Sequence, residues 1–444
     1  MPETYRVLHL ITRLIVGGAQ ENTLLSVEGL DRLPDFEVTL ASGTDFGPEG
    51  DLLGRARRTT DLVVIPELAR SVSPWSDLVA LVKIYRLVKA GRYHIVHTHS
   101  SKAGVLGRVA AKAAGTPVVV HTLHGLVFHD YQPRWLNLVL RLIKRAMAHL
   151  TDHYISVSRI IAEKAIGAGI GTPERFSTVY SGMELDWYLH ARPDPVAVRA
   201  ALGIPPHALV VGKIARLFEL KGHDQLFDAI PAVVERFPEV RFLLIGDGIL
   251  YEHLRQRARN EGFERNLVFA GLIERERIPE MISAMDLLVH TSLREGIARA
   301  LPQAMAMGKA CISFELDGAP EVVIPGETGE LVRAGDTEGL SAAMCRLLAD
   351  PELRQRLGEG GRRLVDPMYR AETMVGEIAD IYRGLLVERA DRVRRLDAAK
   401  APPARLRRSP VSTTATGPSE ADGVPPSWSS SQPVASSTGR KERG

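Results

Sequence analysis

Two cations, a carboxylate and an amide stand where this chain could do chemistry. Arg216 and Lys221 lie in the run Ala215-Arg216-Leu217-Phe218-Glu219-Leu220-Lys221-Gly222-His223, directly after a short apolar run from Leu209 to Ile214. Arg offers a planar fork of donors and Lys a point charge, a combination suited to a diphosphate; the alternative is a solvated loop. Glu295 follows a second apolar run, Leu287 to His290, and precedes a helical stretch with Pro302 in its first turn, Gln303 beside it and Gly308 near its end. An acid ahead of a helix can simply complement the helix dipole. That role leaves unexplained its company: Ser292, Gly296 and the loop Asp317-Gly318-Ala319-Pro320-Glu321-Val322-Val323. Near the N-terminus, Gly17 and Gly18 precede a helix start, where unpaired N–H groups and the positive dipole end can meet an anion.

Some chemistries are excluded by what these loops lack. The G-x-G-x-x-G fingerprint and an acid placed for a ribose are missing, which disfavours a nicotinamide dehydrogenase, and no G-x-x-x-x-G-K-[ST] loop argues for a P-loop ATPase. No D-x-D pair occurs, so a metal-bridged diphosphate is not expected.

The elements that must position these loops are short β-rich runs alternating with helical stretches, the pattern of βαβ units in parallel sheets. In the first half the expected strands are Arg6 to Ile11, Glu37 to Ala41, Leu62 to Ile65, His94 to Thr98, Pro117 to Thr122, His153 to Ser156 and Phe176 to Tyr180. In the second half they are Leu209 to Ile214, Arg241 to Ile245, Leu267 to Ala270, Leu287 to His290, Ala310 to Phe314 and Gly329 to Val332. Two doubly wound α/β domains follow, with ligands expected outside the C-terminal strand edges. The expected division is an N-terminal domain 1–190, a proline-rich linker 191–206, a C-terminal domain 207–369, a terminal helix 370–399 and a disordered tail 400–444 rich in Pro, Ser, Thr and Gly.

With 444 residues, 45% of them apolar, the chain is long enough for two cores and too apolar to be mainly disordered. No apolar run is long enough for a spanning helix. Val7 to Ala19 resembles a signal-peptide core, but His9 and Arg13 interrupt it, and a first strand is expected instead. Cys311 and Cys345 are too few for a disulfide framework, which fits a reducing cytoplasm. The formal charge of +3 comes from residue 401 onward, where Arg405, Arg407, Arg408, Arg440, Lys441 and Arg443 stand against three acids. The remaining chain is charge-balanced, and no nucleic-acid partner is expected.

The stretch from Ser292 to Val332, together with Gly212 to Asp224, resembles the donor-binding half of retaining glycosyltransferases of family 4, which have the GT-B architecture of two Rossmann-like domains facing across a cleft. The resemblance covers roughly residues 5 to 390. It implies a retaining, metal-independent transfer of a hexose from a nucleotide-diphosphate sugar to a hydroxyl acceptor, a glycan or lipid-linked glycan, in polysaccharide, lipopolysaccharide or glycolipid synthesis. It implies no cofactor beyond the donor, and a cytoplasmic location, at the inner face of the cell membrane where the acceptor is lipid-linked. Arg216 and Lys221 would hold the diphosphate and stabilise its developing charge. Glu295 is similar to the first acid of the family's E-x7-E motif and would contact the donor sugar, Gly296, Ile297 and Ala298 would add backbone N–H groups, Gly17 and Gly18 would face the diphosphate, and His124 would touch the sugar. Gln303 stands where the second motif acid is expected; an amide can still bind ribose hydroxyls but cannot act as a base. Ile297-Ala298 replaces the Phe-Gly of many members. Two alternatives stay open: an epimerase or hydrolase of the same architecture, and a catalytically silent nucleotide-sugar-binding subunit, for which Gln303 is the main support.

Two further features invite other readings. His94, His97 and His99, with His121, His124 and His129, form a dense histidine group, but acidic ligands nearby are scarce, so hydrogen-bonded or solvent-facing roles are expected rather than a metal site. Residues 134–150 read as an amphipathic helix with Arg134, Arg141, Lys144 and Arg145 toward one face. It either packs on the N-terminal sheet with a basic exterior or makes a peripheral contact with an anionic membrane.

Overall fold

The structure, a computed structural model, describes residues 4–45, 47 and 50–399. The tail expected to be disordered, 400–444, lies outside the described residues. Seven parallel strands form the first sheet: β1 (Tyr5–Ile11), β2 (Phe36–Ser42), β3 (Asp61–Val64), β4 (Ile95–Thr98), β5 (Val118–Leu123), β6 (His153–Ser156) and β7 (Phe176–Thr178). Their spatial order is β3-β2-β1-β4-β5-β6-β7. Six more form the second: β8 (Val210–Ile214), β9 (Arg241–Ile245), β10 (Leu267–Gly271), β11 (Leu287–His290), β12 (Ala310–Phe314) and β13 (Gly329–Val332), in the order β10-β9-β8-β11-β12-β13. Each expected strand is present, its ends within two residues of the expectation. In both sheets the order reverses beside the first strand, which opens a crevice at the carboxyl ends of β1 and β4 and of β8 and β11.

Strand alternation explains which side chains meet. Val7 and Ile11 of β1 pack on one face with Val38, Leu40, Ile95 and Val118, beneath the helices Gly18–Leu30 and Ala371–Glu388. Leu8 and Leu10 pack on the other with Val96, Val119 and Ala103. His9, between Val7 and Ile11, therefore faces the terminal helix, and it pairs in register with His97 of β4. That helix packs closely: a Cβ on Gly29 would fall 2.3 Å from Val375 Cγ2. Met183 and Tyr369 bond through their backbones (N to O, 2.9 Å), tying the returning chain to the segment between the sheets.

Two details differ from the sequence-based expectation. The proline-rich connection is not wholly irregular; Pro195 begins a helix, Pro195–Ala201, whose first turn is capped by Asp194 Oδ1 accepting from Val196 N at 2.9 Å. The helix Arg134–Ala148 is turned the opposite way from a packed helix with a basic exterior. Trp135, Leu138, Val139, Leu142 and Ile143 face solvent, whereas Lys144 is buried. Arg145 Nε donates to Ala168 O at 2.7 Å, and the Arg141 guanidinium lies 5.0 Å from the Phe128 ring centre.

Candidate active site

The loops after β1, β5, β8, β11 and β12 converge between the two sheets. After β8, Leu220 adopts φ +62°, a left-handed conformation a bulky residue rarely takes, and Gly222 follows at φ +65°. A Cβ on Gly222 would sit 1.7 Å from Thr291 O, so only glycine allows this loop to press on β11. The result brings Lys221 onto Glu295: Lys221 Nζ and Glu295 Oε1 form a close ion pair, both side chains about three-quarters shielded. Arg216, on the same loop, is exposed and stacks over Phe218 at 5.2 Å.

Glu295 is held from behind by its own backbone, whose N–H donates to Asp317 Oδ2 at 2.8 Å. Asp317 Oδ1 in turn pairs with Lys164 of the N-terminal half at 2.7 Å. Gly296 packs so close to the other half that a Cβ would fall 2.6 Å from His124 O. His124, Glu295 and Gly296 therefore share one cavity of about 590 Å³, lined also by Arg294, Lys164 and Asp317. Ile297 and Ala298 continue from Gly296 toward Arg299, with Ala298 buried. Gly17 and Gly18 lie at a separate wall of the cleft, where a Cβ on Gly18 would meet Arg299 Cδ at 3.2 Å. Gln303 lies in the helix Ala300–Ala306, its N–H bonded to Arg299 O at 3.1 Å and its side chain partly exposed. Of the predicted site residues only His124, Glu295 and Gly296 line this cavity; Arg216, Lys221, Ile297, Ala298, Gln303 and the two glycines do not, Lys221 reaching it only through its ion pair with Glu295.

Beneath the cation loop lies a buried lysine that sequence reasoning passed over. Lys213 Nζ donates to Thr291 Oγ1 at 2.6 Å, and Thr291 Oγ1 donates to Gly222 O at 2.5 Å, so the lysine braces the loop. Burial, reinforced by Lys221, pulls its ammonium down to about 7. Also missed were Arg294, which donates to Leu126 O across the cleft, and Glu321, whose carboxylate accepts from the N–H groups of Arg159 (2.9 Å) and Ile160 (3.0 Å) at the start of the helix Arg159–Gly167. Both stand inside the motifs that drew attention, but their partners are over 140 residues away and left no local signal.

The histidine group is buried rather than solvent-facing at His94, His97, His99 and His121, and it includes His9, which the sequence reading left out. Ring nitrogens of His9, His97 and His99 come close enough to hold a metal ion, but both nitrogens of each already make hydrogen bonds. Burial pulls His9 down to about 3 and His124 to about 4.

Residues 197–364 match the family Glycosyl transferases group 1, and residues 16–187 match Glycosyltransferase Family 4. The UDP-Gal:alpha-D-GlcNAc-diphosphoundecaprenol alpha-1,3-galactosyltransferase of Escherichia coli is 27% identical over 389 residues, covering 86% of this chain and 98% of the relative. The putative glycosyltransferase EpsD of Bacillus subtilis is 26% identical over 321 residues, covering 71% of this chain and 83% of the relative. Among solved structures, Anabaena HepE in complex with UDP-glucose superposes with a TM-score of 0.72 at 22% identity, covering 85% of this chain and 99% of HepE, a likeness of fold. Two facing Rossmann-like sheets and two family matches that together span both of them place this chain among the group 1, family 4 glycosyltransferases of GT-B fold.

Proposed function

We propose that this nucleotide-sugar glycosyltransferase transfers a hexose to a hydroxyl of a lipid-linked glycan, with retention at the anomeric carbon and without a metal ion, at the cytoplasmic face of a membrane. The observation that carries the reading is the Lys221–Glu295 pair, whose carboxylate lines the same cavity as His124. A donor diphosphate arriving beside Arg216 and Lys221 competes with Glu295 for the ammonium. The carboxylate then turns to hydroxyls of the sugar. Gly296, Ile297 and Ala298 offer backbone N–H groups, the loop at Gly17 and Gly18 approaches the diphosphate from the other half, and Gln303 binds ribose hydroxyls through its amide. In the transfer, the bond from the anomeric carbon to the phosphate oxygen breaks and a bond to the acceptor oxygen forms on the same face. The acceptor proton passes to the departing phosphate oxygen. Arg216 and Lys221 offset the charge growing on the diphosphate, the role a divalent ion fills in D-x-D enzymes.

The acceptor class is supported by the Escherichia coli relative, which by name acts on a sugar carried on diphosphoundecaprenol. Two outward apolar stripes support contact with a lipid surface: Trp135, Leu138, Leu142 and Ile143 on Arg134–Ala148, and Trp75, Leu78, Val82 and Tyr85 on Pro74–Gly91. Among the described residues no helix is long and apolar enough to cross a membrane.

The test is calorimetric binding across a panel of nucleotide sugars, followed by the best donor on variants. Arg216→Ala, Lys221→Ala and Glu295→Ala should each weaken binding about 10- to 100-fold, the worth of a charge-assisted hydrogen bond. Gln303→Asn should weaken it, and Gln303→Glu should be tolerated. Unchanged binding in the first three variants overturns the assignment.

A further inference from the structure

Tyr382, on the helix Ala371–Glu388, stands in the middle of a buried chain of side chains that ends at His124. Its hydroxyl oxygen lies 2.5 Å from His97 Nδ1 and 3.1 Å from His9 Nε2. On one side, His97 Nε2 lies 2.6 Å from Thr122 Oγ1. On the other, His9 Nδ1 lies 3.0 Å from His99 Nε2, and His99 Nδ1 lies 3.1 Å from His124 Nε2. The order is Thr122, His97, Tyr382, His9, His99, His124. Strand alternation puts His9, His97 and Thr122 on the sheet face beneath Tyr382, which is why residues so far apart in sequence meet.

Burial keeps the imidazoles neutral: His9 falls to about 3, His124 to about 4, and His97 and His99 well below the usual histidine range. A neutral imidazole has one N–H and one lone pair, so a ring that donates at one nitrogen accepts at the other. Three hydrogen arrangements then place one hydrogen in each of the five contacts. If Thr122 accepts from His97, every ring carries its hydrogen on Nε2 and the buried Thr122 hydroxyl has no acceptor among the described residues. If Thr122 donates and Tyr382 accepts from both neighbours, the Tyr382 hydroxyl has none. If Thr122 donates and Tyr382 passes its own hydrogen to His9, every hydroxyl hydrogen is used and all four rings carry theirs on Nδ1. Leaving a buried donor unmade is the costly option, and the last arrangement avoids it.

We infer that this chain fixes His124 as the Nδ1–H tautomer, presenting a neutral hydrogen-bond donor to the cleft, and that Thr122 and Tyr382 are positioning residues for the transfer. No protein partner among the described residues bonds His124 Nδ1, and the ring lines the cavity shared with Glu295. The ligand group that suits it is an oxygen lone pair, on a sugar hydroxyl or a diphosphate. The assignment of the tautomer stands on the chain alone; its use in transfer rests on the proposed function.

The test is two-bond 1H–15N NMR of the full chain labelled with 15N-histidine at neutral pH, with single His→Gln variants to assign the signals. The expected result is His9, His97, His99 and His124 all protonated on Nδ1. Thr122→Val leaves His97 Nε2 as an unmet acceptor rather than an unmet donor, so His124 should stay protonated on Nδ1. Thr122→Asp replaces the terminal donor with a carboxylate that only accepts and should move the His124 proton to Nε2, lowering kcat/KM for the donor about tenfold, while Thr122→Ser keeps both at the wild-type state. A wild-type His124 protonated on Nε2, a tautomer unmoved in Thr122→Asp, or stoichiometric zinc on His9, His97 and His99 in the purified protein each overturns the inference. The spectrum needs no substrate, so an absence of transferase activity would count against the proposed function and leave the tautomer result standing.

Discussion

Arg299 Nη2 lies 2.9 Å from Glu21 Oε2, joining the loop that follows Glu295 to the first helix of the N-terminal half. Arg275 Nε reaches the same carboxylate oxygen at 3.3 Å and also pairs with Glu184, which Arg55 holds at 3.0 Å. The network spans the cleft beside Gly18, so the glycine loop and the sugar-side loop are registered by one carboxylate. Glu21→Gln leaves two arginines sharing a weaker partner. The variant should lose about 1–3 kcal/mol of stability, between exposed and buried ion pairs. Its radius of gyration in X-ray scattering should rise, and KM for the donor should increase more than kcat falls. Unchanged scattering and KM would show that the latch does not set the closed geometry.

Acid should weaken the N-terminal half well before carboxylates titrate fully. His9, His97 and His99 have folded pKa values held far down by burial, so the folded state binds fewer protons than the unfolded one. Their contribution is complete above the unfolded value near 6.5 and is lost as pH falls through the folded values. At pH 5 one such histidine costs about 2 kcal/mol. Calorimetric melting at pH 7.5 and pH 5 should show a marked drop in Tm; a flat profile would contradict neutral burial.

The buried Lys213 gives a slope of the same sign at the other end of the scale. Its folded pKa of about 7 lies below the unfolded value near 10.4, so stability should climb between pH 7 and pH 10. Lys213→Met should raise Tm at neutral pH and flatten that slope. The same change releases Thr291 from the lysine, so Gly222 loses its brace and donor affinity should fall several-fold. A variant with lower Tm and full affinity would remove Lys213 from the site.

The outward stripe on Arg134–Ala148 is open to a direct check by co-sedimentation with anionic vesicles. Trp135→Ser and Leu142→Ser each remove a large apolar side chain worth about 1.5–3 kcal/mol on burial, so each should weaken binding about tenfold or more. Arg145→Gln should matter less, because that side chain is committed to Ala168 O. Equal binding by all variants would assign the stripe to something other than lipid.

The strands were legible because a parallel sheet covered on both faces demands short apolar runs, and β1, β8, β11 and β12 supply them. Arg216, Lys221 and Glu295 were legible because loops that leave one sheet edge keep their motif residues contiguous. Pairings made through space were not. Tyr382 lies 373 residues from His9, and nothing local to either marks the other. Helical periodicity identified the apolar stripe of Arg134–Ala148 but carries no information about whether that stripe faces the sheet or the solvent. Pro195 was read as a break because proline composition alone does not distinguish an irregular linker from the first turn of a helix.

The most direct test is the anomeric configuration of the product. The enzyme is supplied with its best-binding nucleotide sugar and a lipid-linked acceptor in the presence of EDTA, and the new linkage is read by 1H NMR. The account predicts turnover undiminished by the chelator and the same anomeric configuration in product as in donor. An inverted linkage, or activity that disappears with EDTA and returns with a divalent ion, would contradict it.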